Sequence, residues 1–344
     1  MIIEEATKDI CQKFSDSRMQ YCQLSAAAGE NGRYNVTGTV LDEETKSAVF
    51  ASLSSTFPDV DFDLDEVAVL RQTPAKLLAV STNAAGFHRR PSRNSEMVSQ
   101  ILNGGIVEHL QREESGWIFT RQSDGYLGWL YGPYLTAEIP QEEATHMVSA
   151  PVAYLLAAPG DDSKLVSRIF AGTAVCVAET SADWSHIRQA GERSGWIPSS
   201  ALRPLADLPK GAAERREQMI FDSKAYTGVP YRWGGCTVHG IDCSGLAQLL
   251  HKLAGVTLPR DADMQFAAGA PVEPPFQPGD LLYFGGSQDG HRSITHVAMS
   301  LGGWQIIHSS GSRNGVYEDD VRAVSGLRDS FIGANTFVSA GNAG

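Results

Sequence analysis

The sequence predicts an α+β unit in the last third of the chain, preceded by two small β-barrels in tandem and a short αβ segment at the start. Three observations lead there. The chain repeats itself: Pro91, Val98, Ser99, Ile101 and Gly104 recur as Pro159, Val166, Ser167, Ile169 and Gly172, and Trp117, Gly128 and Trp129 recur as Trp184, Gly195 and Trp196, among short β-rich stretches broken by turn residues. Near the end, a helical pattern gives way to strand-like alternation, the order of an α+β domain. At the beginning, Ile3, Ala6, Ile10 and Phe14 fall on one face of a helix. The expected boundaries are an N-terminal αβ segment over 1–68, barrels over 69–140 and 146–206, and the α+β domain over 210–338.

Within the first segment a Gly-rich break at 29–32 leads to a strand over 34–41. Asp42 then caps a helix from Glu43 to about Ser55, and 60–70 returns to strand-like alternation. No chemistry is legible in it. Residues 207–211 read as a linker, 214–226 as the first helix of the α+β domain, 258–261 as the cap of a short helix through Phe266 and 281–284 as a buried strand.

A length of 344 residues suits about two to four compact units with proper cores. The formal charge of −12 argues against nucleic acid as a partner. The opening Met1-Ile2-Ile3-Glu4-Glu5 carries acids where a secretory leader has bases. No run of about 18 apolar residues is long enough to span a bilayer. As it stands the sequence predicts a cytoplasmic protein, or a periplasmic or extracellular one if a leader preceded it. Five scattered cysteines, Cys11, Cys22, Cys176, Cys236 and Cys243, fit free thiols better than a disulfide framework.

The chemistry concentrates around Cys243. Leu246, Leu249, Leu250 and Leu253 follow it at helical spacing, placing the thiol at a helix N-terminus, where the dipole favours thiolate. Downstream, 295–301 and 304–309 read as two strands joined around Gly302-Gly303, with His296 on one and His308 on the other. A loop over 301–303 sets the two histidines directly opposite on one face, whereas a two-residue Gly-Gly turn sends them to opposite faces. In the first register His296 can take the thiol proton while His308 orients its ring. His291 is a competing base in a polar loop. Cys236, His239 and Cys243 form a C-x2-H-x3-C cluster with no convincing fourth ligand, so no metal is expected.

Six blocks, YRWGG, IDCSGL, LPRD, PGDLLYF, THVAMSLGG and IIHSSG, occur in this order over roughly 210–338. Together they resemble the NlpC-type papain-like cysteine peptidases of bacterial peptidoglycan metabolism. The repeated Gly-Trp pattern resembles bacterial SH3-like domains. The fold class expected is therefore a papain-like α+β catalytic domain behind two SH3-like barrels.

The resemblance implies Cys243 as nucleophile, His296 as base and His308 as third member, with no metal or organic cofactor. Tyr231 either packs under the helix or points its hydroxyl at the oxyanion beside the Cys243 amide, and the second is favoured. Trp233 reads as a pocket wall. The resemblance further implies that Asp242 and Ser244 contact substrate near the scissile bond, although each can equally cap the helix. Asp261 would recognise a free α-amino group together with Tyr126, which precedes the Gly-Trp of the first repeat and has no counterpart in the second. Ala262 departs from the serine common in relatives, which puts one hydroxyl contact in doubt. The implied substrate is a murein peptide, L-Ala-γ-D-Glu followed by a diamino acid, cut at the γ-D-glutamyl bond during cell-wall recycling. An exported hydrolase of intact wall and a non-catalytic wall binder are the alternatives.

Overall fold

Most of the expected periodicities become the expected elements in the computed structural model of the chain, which describes residues 2–29, 32–288 and 291–338, the side chains of 287, 288, 291 and 292 excepted. The chain divides into two units. One comprises Met1–Leu78, Arg90–Ser92 and Ile106–Pro133, the other Ala79–Arg89, Arg93–Gly105 and Tyr134–Gly344.

In the first unit the helix Ile3–Gln12 buries Ile3, Ala6, Thr7 and Ile10. The helix Glu43–Thr56 starts at Asp42, whose carboxylate accepts the Thr45 amide hydrogen at 2.9 Å. Both pack on a four-stranded sheet built on Tyr34–Val40, which pairs in parallel with Phe62–Asp63 and Val67–Val69. Its antiparallel neighbour, Cys22–Ala28, is a strand the sequence does not announce. That run is rich in alanine and lacks β-branched residues, and its pairing from Cys22 opposite Val40 to Ala28 opposite Tyr34 holds it extended. The Cys11 and Cys22 sulfurs lie 2.6 Å apart, tying the first helix to this strand. The unit also holds the meander Ile106–Arg112, Trp117–Gln122 and Leu127–Tyr131. Leu41, Leu70, Leu110, Phe119 and Leu127 form a core there.

The strands from Leu77 to Thr136 follow one another as those from His146 to Pro204 do, each series closing with a 3-10 turn and a short final strand. Gly104 and Gly172, equivalent in the repeat, both take positive φ, 77° and 83°. The later series forms a seven-stranded sheet, all within the second unit, closed around Val148, Leu155, Ile169, Ile187 and Ile197. The earlier series is shared between the two units.

The C-terminal part of the second unit is a six-stranded sheet whose middle strands, Leu281–Gln288, His291–Gly302 and Gln305–Ser310, run antiparallel. Leu281, Tyr283, Val297, Met299 and Ile307 enter the core made by the helix Cys243–Leu253. Their neighbours Leu282, Phe284, Ala298 and Ile306 enter a second core with Phe276, Val321 and Ala334. Both faces of the sheet are thus covered. No helix among the described residues is long and apolar enough to cross a membrane.

One buried group makes the fold sensitive to acid. His251 is fully buried in the Cys243–Leu253 helix, its ring nitrogens 2.8 Å from the Ala247 carbonyl and 3.1 Å from that of Gly279. Burial pulls its imidazole down to about 4, against the two carbonyls; Arg216 adds to the effect and Asp280 opposes it. The folded value lies below the unfolded one near 6.5, so this contribution is complete above about pH 6.5 and is lost as pH falls toward 4. At pH 4.5 the loss amounts to roughly 2–3 kcal/mol. Denaturation of the wild type and His251→Gln at pH 7.5 and 4.5 checks this. The variant is expected to lose less stability on acidification by that amount, and equal losses refute it.

Candidate active site

Two glycines and an aspartate set Cys243 in place. The YRWGG loop returns sharply at Gly234, where φ is 73° and a Cβ would stand 2.2 Å from the Met97 carbonyl oxygen. A Cβ on Gly245 would lie 2.4 Å from the Gly235 oxygen, so this loop and the first helical turn can meet only through glycine. Asp242 is the N-cap, its Oδ1 accepting the Gly245 amide hydrogen at 2.7 Å, and Cys243 is the first helical residue.

Asp242 and Ser244, expected to meet substrate, are only 5% and 6% exposed and turn inward to Arg260, itself 3% exposed. The guanidinium donates to Asp242 at 2.6 and 3.2 Å, to Ser244 Oγ at 2.8 Å and to Ser99 Oγ at 3.0 Å. The Gly234 amide donates to Asp242 Oδ2 at 2.8 Å. In this arrangement the two residues hold the start of the helix. Gln100 Oε1 accepts the Cys236 amide hydrogen at 3.0 Å. Trp233 Nε1 donates to Glu96 at 2.9 Å, leaving the ring 60% exposed. The segment 96–100 therefore braces the loop ahead of Cys243 at Trp233 and Cys236 and, through Arg260, the helix start.

The histidines share one face, but in a register other than the expected one. Met299 pairs with Ile307 and Ser300 with Ile306, two positions away from a register that sets His296 against His308. The turn is a two-residue Gly303-Trp304 connection, which alone would separate the histidines; an irregularity between Ser300 and Gly302 restores the parity. Gly302 and Gly303 supply the positive φ this needs, 124° and 60°. His296 Nε2 lies 2.7 Å from His308 Nδ1, and His308 Nε2 lies 2.9 Å from Asp319 Oδ2. Arg313 donates to both Asp319 oxygens, at 2.6 and 2.9 Å. Sequence reasoning missed Asp319 and Arg313. The signal available was only the run of 313–319 after a second hairpin, too common a pattern to point at a site.

The sulfur of Cys243 accepts from the backbone amide of Val297, which places it beside His296. Burial pushes the thiol up to about 11 and the Asp242 carboxylate adds to this, while the Val297 and Ser244 amides and Arg260 pull the other way. The thiolate expected from the helix dipole alone is thus outweighed by desolvation and a neighbouring anion. Burial lowers His296 to about 3, His308 acting in the same direction. Burial also lowers His308, against the opposing effect of Asp319. Both shifts act in the direction of a neutral thiol beside a neutral imidazole.

Tyr231 bridges Ile241 and is half-buried, its ring facing Gly311, where a Cβ would be 3.5 Å away. Burial raises its hydroxyl well above the ordinary range, the charges of Cys243 and Asp242 adding to this, so it stays a donor near the sulfur. Asp261 begins the helix Ala262–Ala268 without capping it through its side chain and is half-buried. Ala262 packs against the main core. Tyr126 belongs to the first unit, where it is 2% exposed just ahead of the strand Leu127–Tyr131. Cys236 Sγ donates to the Gln100 carbonyl at 3.4 Å, and the His239 ring stands edge-on to Phe170. The side chain of His291 lies outside the described residues.

Residues 228–334 match the NlpC/P60 family, and 149–204 match the bacterial SH3 domain. This is an NlpC/P60 domain. The domain is that of a cysteine peptidase, a hydrolase acting on peptides. The chain is 28% identical over 247 residues to the dipeptidyl-peptidase 6 of Lysinibacillus sphaericus, covering 67% of this chain and 87% of that one. It is 29% identical over 204 residues to a gamma-D-glutamyl-L-lysine dipeptidyl-peptidase of Bacillus cereus, and 32% over 187 to that of Bacillus subtilis. Those two matches cover 57% and 54% of this chain and 60% of each relative, so the chain spans less than two thirds of their length. The crystal structure of an NlpC/P60 family protein from Bacillus cereus superposes with a TM-score of 0.67 at 22% identity, over 76% of this chain and all of that one. That likeness concerns the fold.

Proposed function

We propose that this NlpC/P60 domain cleaves the γ-D-glutamyl bond to a diamino acid in murein peptides that carry a free N-terminal L-Ala, in recycling of wall fragments. The observation that carries the reading is the 2.7 Å contact of His296 with His308 beside a sulfur held by the Val297 amide. Cys243 attacks the carbonyl carbon as His296 takes its proton. The resulting imidazolium protonates the leaving amine, and water activated at His296 then releases the acyl group. Since burial favours the neutral thiol and the neutral imidazole, proton transfer accompanies attack. The oxyanion accepts from the Cys243 amide and the Tyr231 hydroxyl.

The choice of bond is supported by the names of the Bacillus relatives, which act on γ-D-glutamyl-L-lysine. The requirement for a free amine rests on the family resemblance, which assigns the ammonium to Asp261, a half-buried carboxylate at the start of the helix Ala262–Ala268. Trp233 forms an outer wall. Residues 69–140, whose strand order repeats that of the matched SH3 domain, are read as a second domain of that type, and 1–68 as a separate αβ segment.

The test is the mass of products from L-Ala-γ-D-Glu-diaminopimelate and its L-lysine counterpart, each free and N-acetylated. Cleavage of the free peptides alone supports the reading. Asp261→Asn is expected to raise KM for the free peptide about 10- to 100-fold, the loss of one charge-assisted hydrogen bond, with kcat less affected. Equal cleavage of blocked peptides or release from intact sacculi favours a hydrolase of assembled wall, and retention on sacculi without cleavage favours a binder.

A further inference from the structure

Beyond the three residues assigned to the reaction, the hydrogen-bonded chain continues outward, from the buried His308 to a half-exposed arginine. It runs from His296 through His308 to Asp319 and ends on Arg313. We propose that Asp319, held by Arg313, is a positioning residue that fixes the tautomers of both histidines and so keeps the remaining nitrogen of His296 unprotonated for the thiol. This rests on Cys243 as nucleophile and His296 as base.

The argument is a proton count along three contacts. Arg313 has only hydrogens to offer, so both oxygens of Asp319 act as acceptors toward it. The Oδ2 that also faces His308 therefore accepts from Nε2–H of that ring at 2.9 Å. A neutral imidazole carries one N–H, so His308 Nδ1 has a lone pair and must accept from His296 across 2.7 Å. His296 then carries its hydrogen on Nε2, and Nδ1 is left with the lone pair that a base requires. When His296 gains the thiol proton, neither downstream contact has to change: its Nε2–H still donates to His308, and His308 still donates to the carboxylate. No proton moves along the chain, and the imidazolium faces a row of dipoles ending in a negative charge.

An isosteric amide at position 319 should invert this order. In Asp319→Asn, Arg313 draws the single carbonyl oxygen, and the amide nitrogen turns to His308 as a donor. His308 Nε2 must then accept, its hydrogen shifts to Nδ1, and His296 is forced to accept on Nε2 and carry its hydrogen on Nδ1. The base nitrogen is thereby blocked, as in a serine protease whose triad aspartate becomes asparagine. Asp319→Ala leaves His308 free to take either tautomer. The relay therefore predicts that the isostere is worse than the truncation, the reverse of what a packing role predicts.

The experiment measures kcat and KM on the free tripeptide and, needing no substrate, the rate of Cys243 alkylation by iodoacetamide resolved by peptide mass. Expected for Asp319→Asn is a fall of roughly 10²- to 10⁴-fold in kcat with KM little changed. For Asp319→Ala the fall is about 10-fold, and alkylation follows the same order. Asp319→Asn combined with Arg313→Met should recover at least about 10-fold over Asp319→Asn, because the amide can then rotate its oxygen to His308. In the wild-type protein the ¹⁵N shifts of His308 should report hydrogen on Nε2, a readout independent of any variant's folding. Hydrogen on His308 Nδ1, Asp319→Asn at least as active as Asp319→Ala, or no recovery in the double variant would each overturn the proposal. If the wild type cleaves no peptide, the alkylation order and the ¹⁵N shifts still decide it, so failure of the substrate reading stays distinct.

Discussion

Cys243→Ala is expected to lower turnover of L-Ala-γ-D-Glu-diaminopimelate by about 10⁴-fold or more while the melting temperature stays within a few degrees of wild type. The two halves of this expectation have separate physical origins. The sulfur is half-buried and held by the Val297 and Ser244 amides, so its removal leaves a small void at a helix start that Asp242 continues to cap. Chemically nothing else can replace it. On the proposed mechanism Tyr231 and the amide of residue 243 can still polarise a bound carbonyl, but neither can form the acyl-enzyme. Residues that act as one unit are not additive, so Cys243→Ala combined with His296→Ala should be no slower than Cys243→Ala alone. Product release followed by mass spectrometry tests both. Turnover within about 10-fold of wild type in the single variant, or a further large fall in the double, would remove Cys243 from the reaction.

The sequence makes the placement of the proposed reacting groups legible far better than their protonation. Cys243 at a helix start and His296 and His308 on adjoining strands follow from local pattern, because helix caps and strand parity are short-range properties. Even so, the turn is two residues long and an irregularity near Leu301 carries the parity, a compensation that a pattern of alternation does not contain. The thiol's protonation is not legible in the sequence for a different reason. A helix dipole is a local term, whereas desolvation and the neighbouring Asp242 charge depend on what folds over the site. Asp319 and Arg313 escape notice because their meaning comes from strand order, with Tyr317 opposite His308 and Asp319 one diagonal further on. The tandem repeat is plain in the strand order, yet the earlier copy is divided between two units, which no repeat in the sequence indicates.

Arg260→Met carries the largest expected effect on stability, about 3–5 kcal/mol, because it removes one partner of a buried ion pair and leaves the other. The guanidinium is 3% exposed and neutralises Asp242, 5% exposed, across 2.6 Å. Without it the carboxylate keeps the Gly234 and Gly245 amides, two dipoles in place of a full charge, and Ser244 and Ser99 each lose a donor. The same change acts on chemistry. Arg260 is among the groups that draw the Cys243 thiol down while Asp242 draws it up, so an uncompensated Asp242 makes the sulfur harder to deprotonate. Stability and rate should therefore fall together, and both should return in part when Asp242→Asn is added. Asparagine still caps the helix through its oxygen and brings no charge. Chemical denaturation of the two single variants and the double gives the coupling directly, expected at about 2 kcal/mol or more. A loss below about 1 kcal/mol in Arg260→Met, or additive losses in the double variant, would mean that the helix start is held by its amides alone and that the ion pair beneath the nucleophile is dispensable.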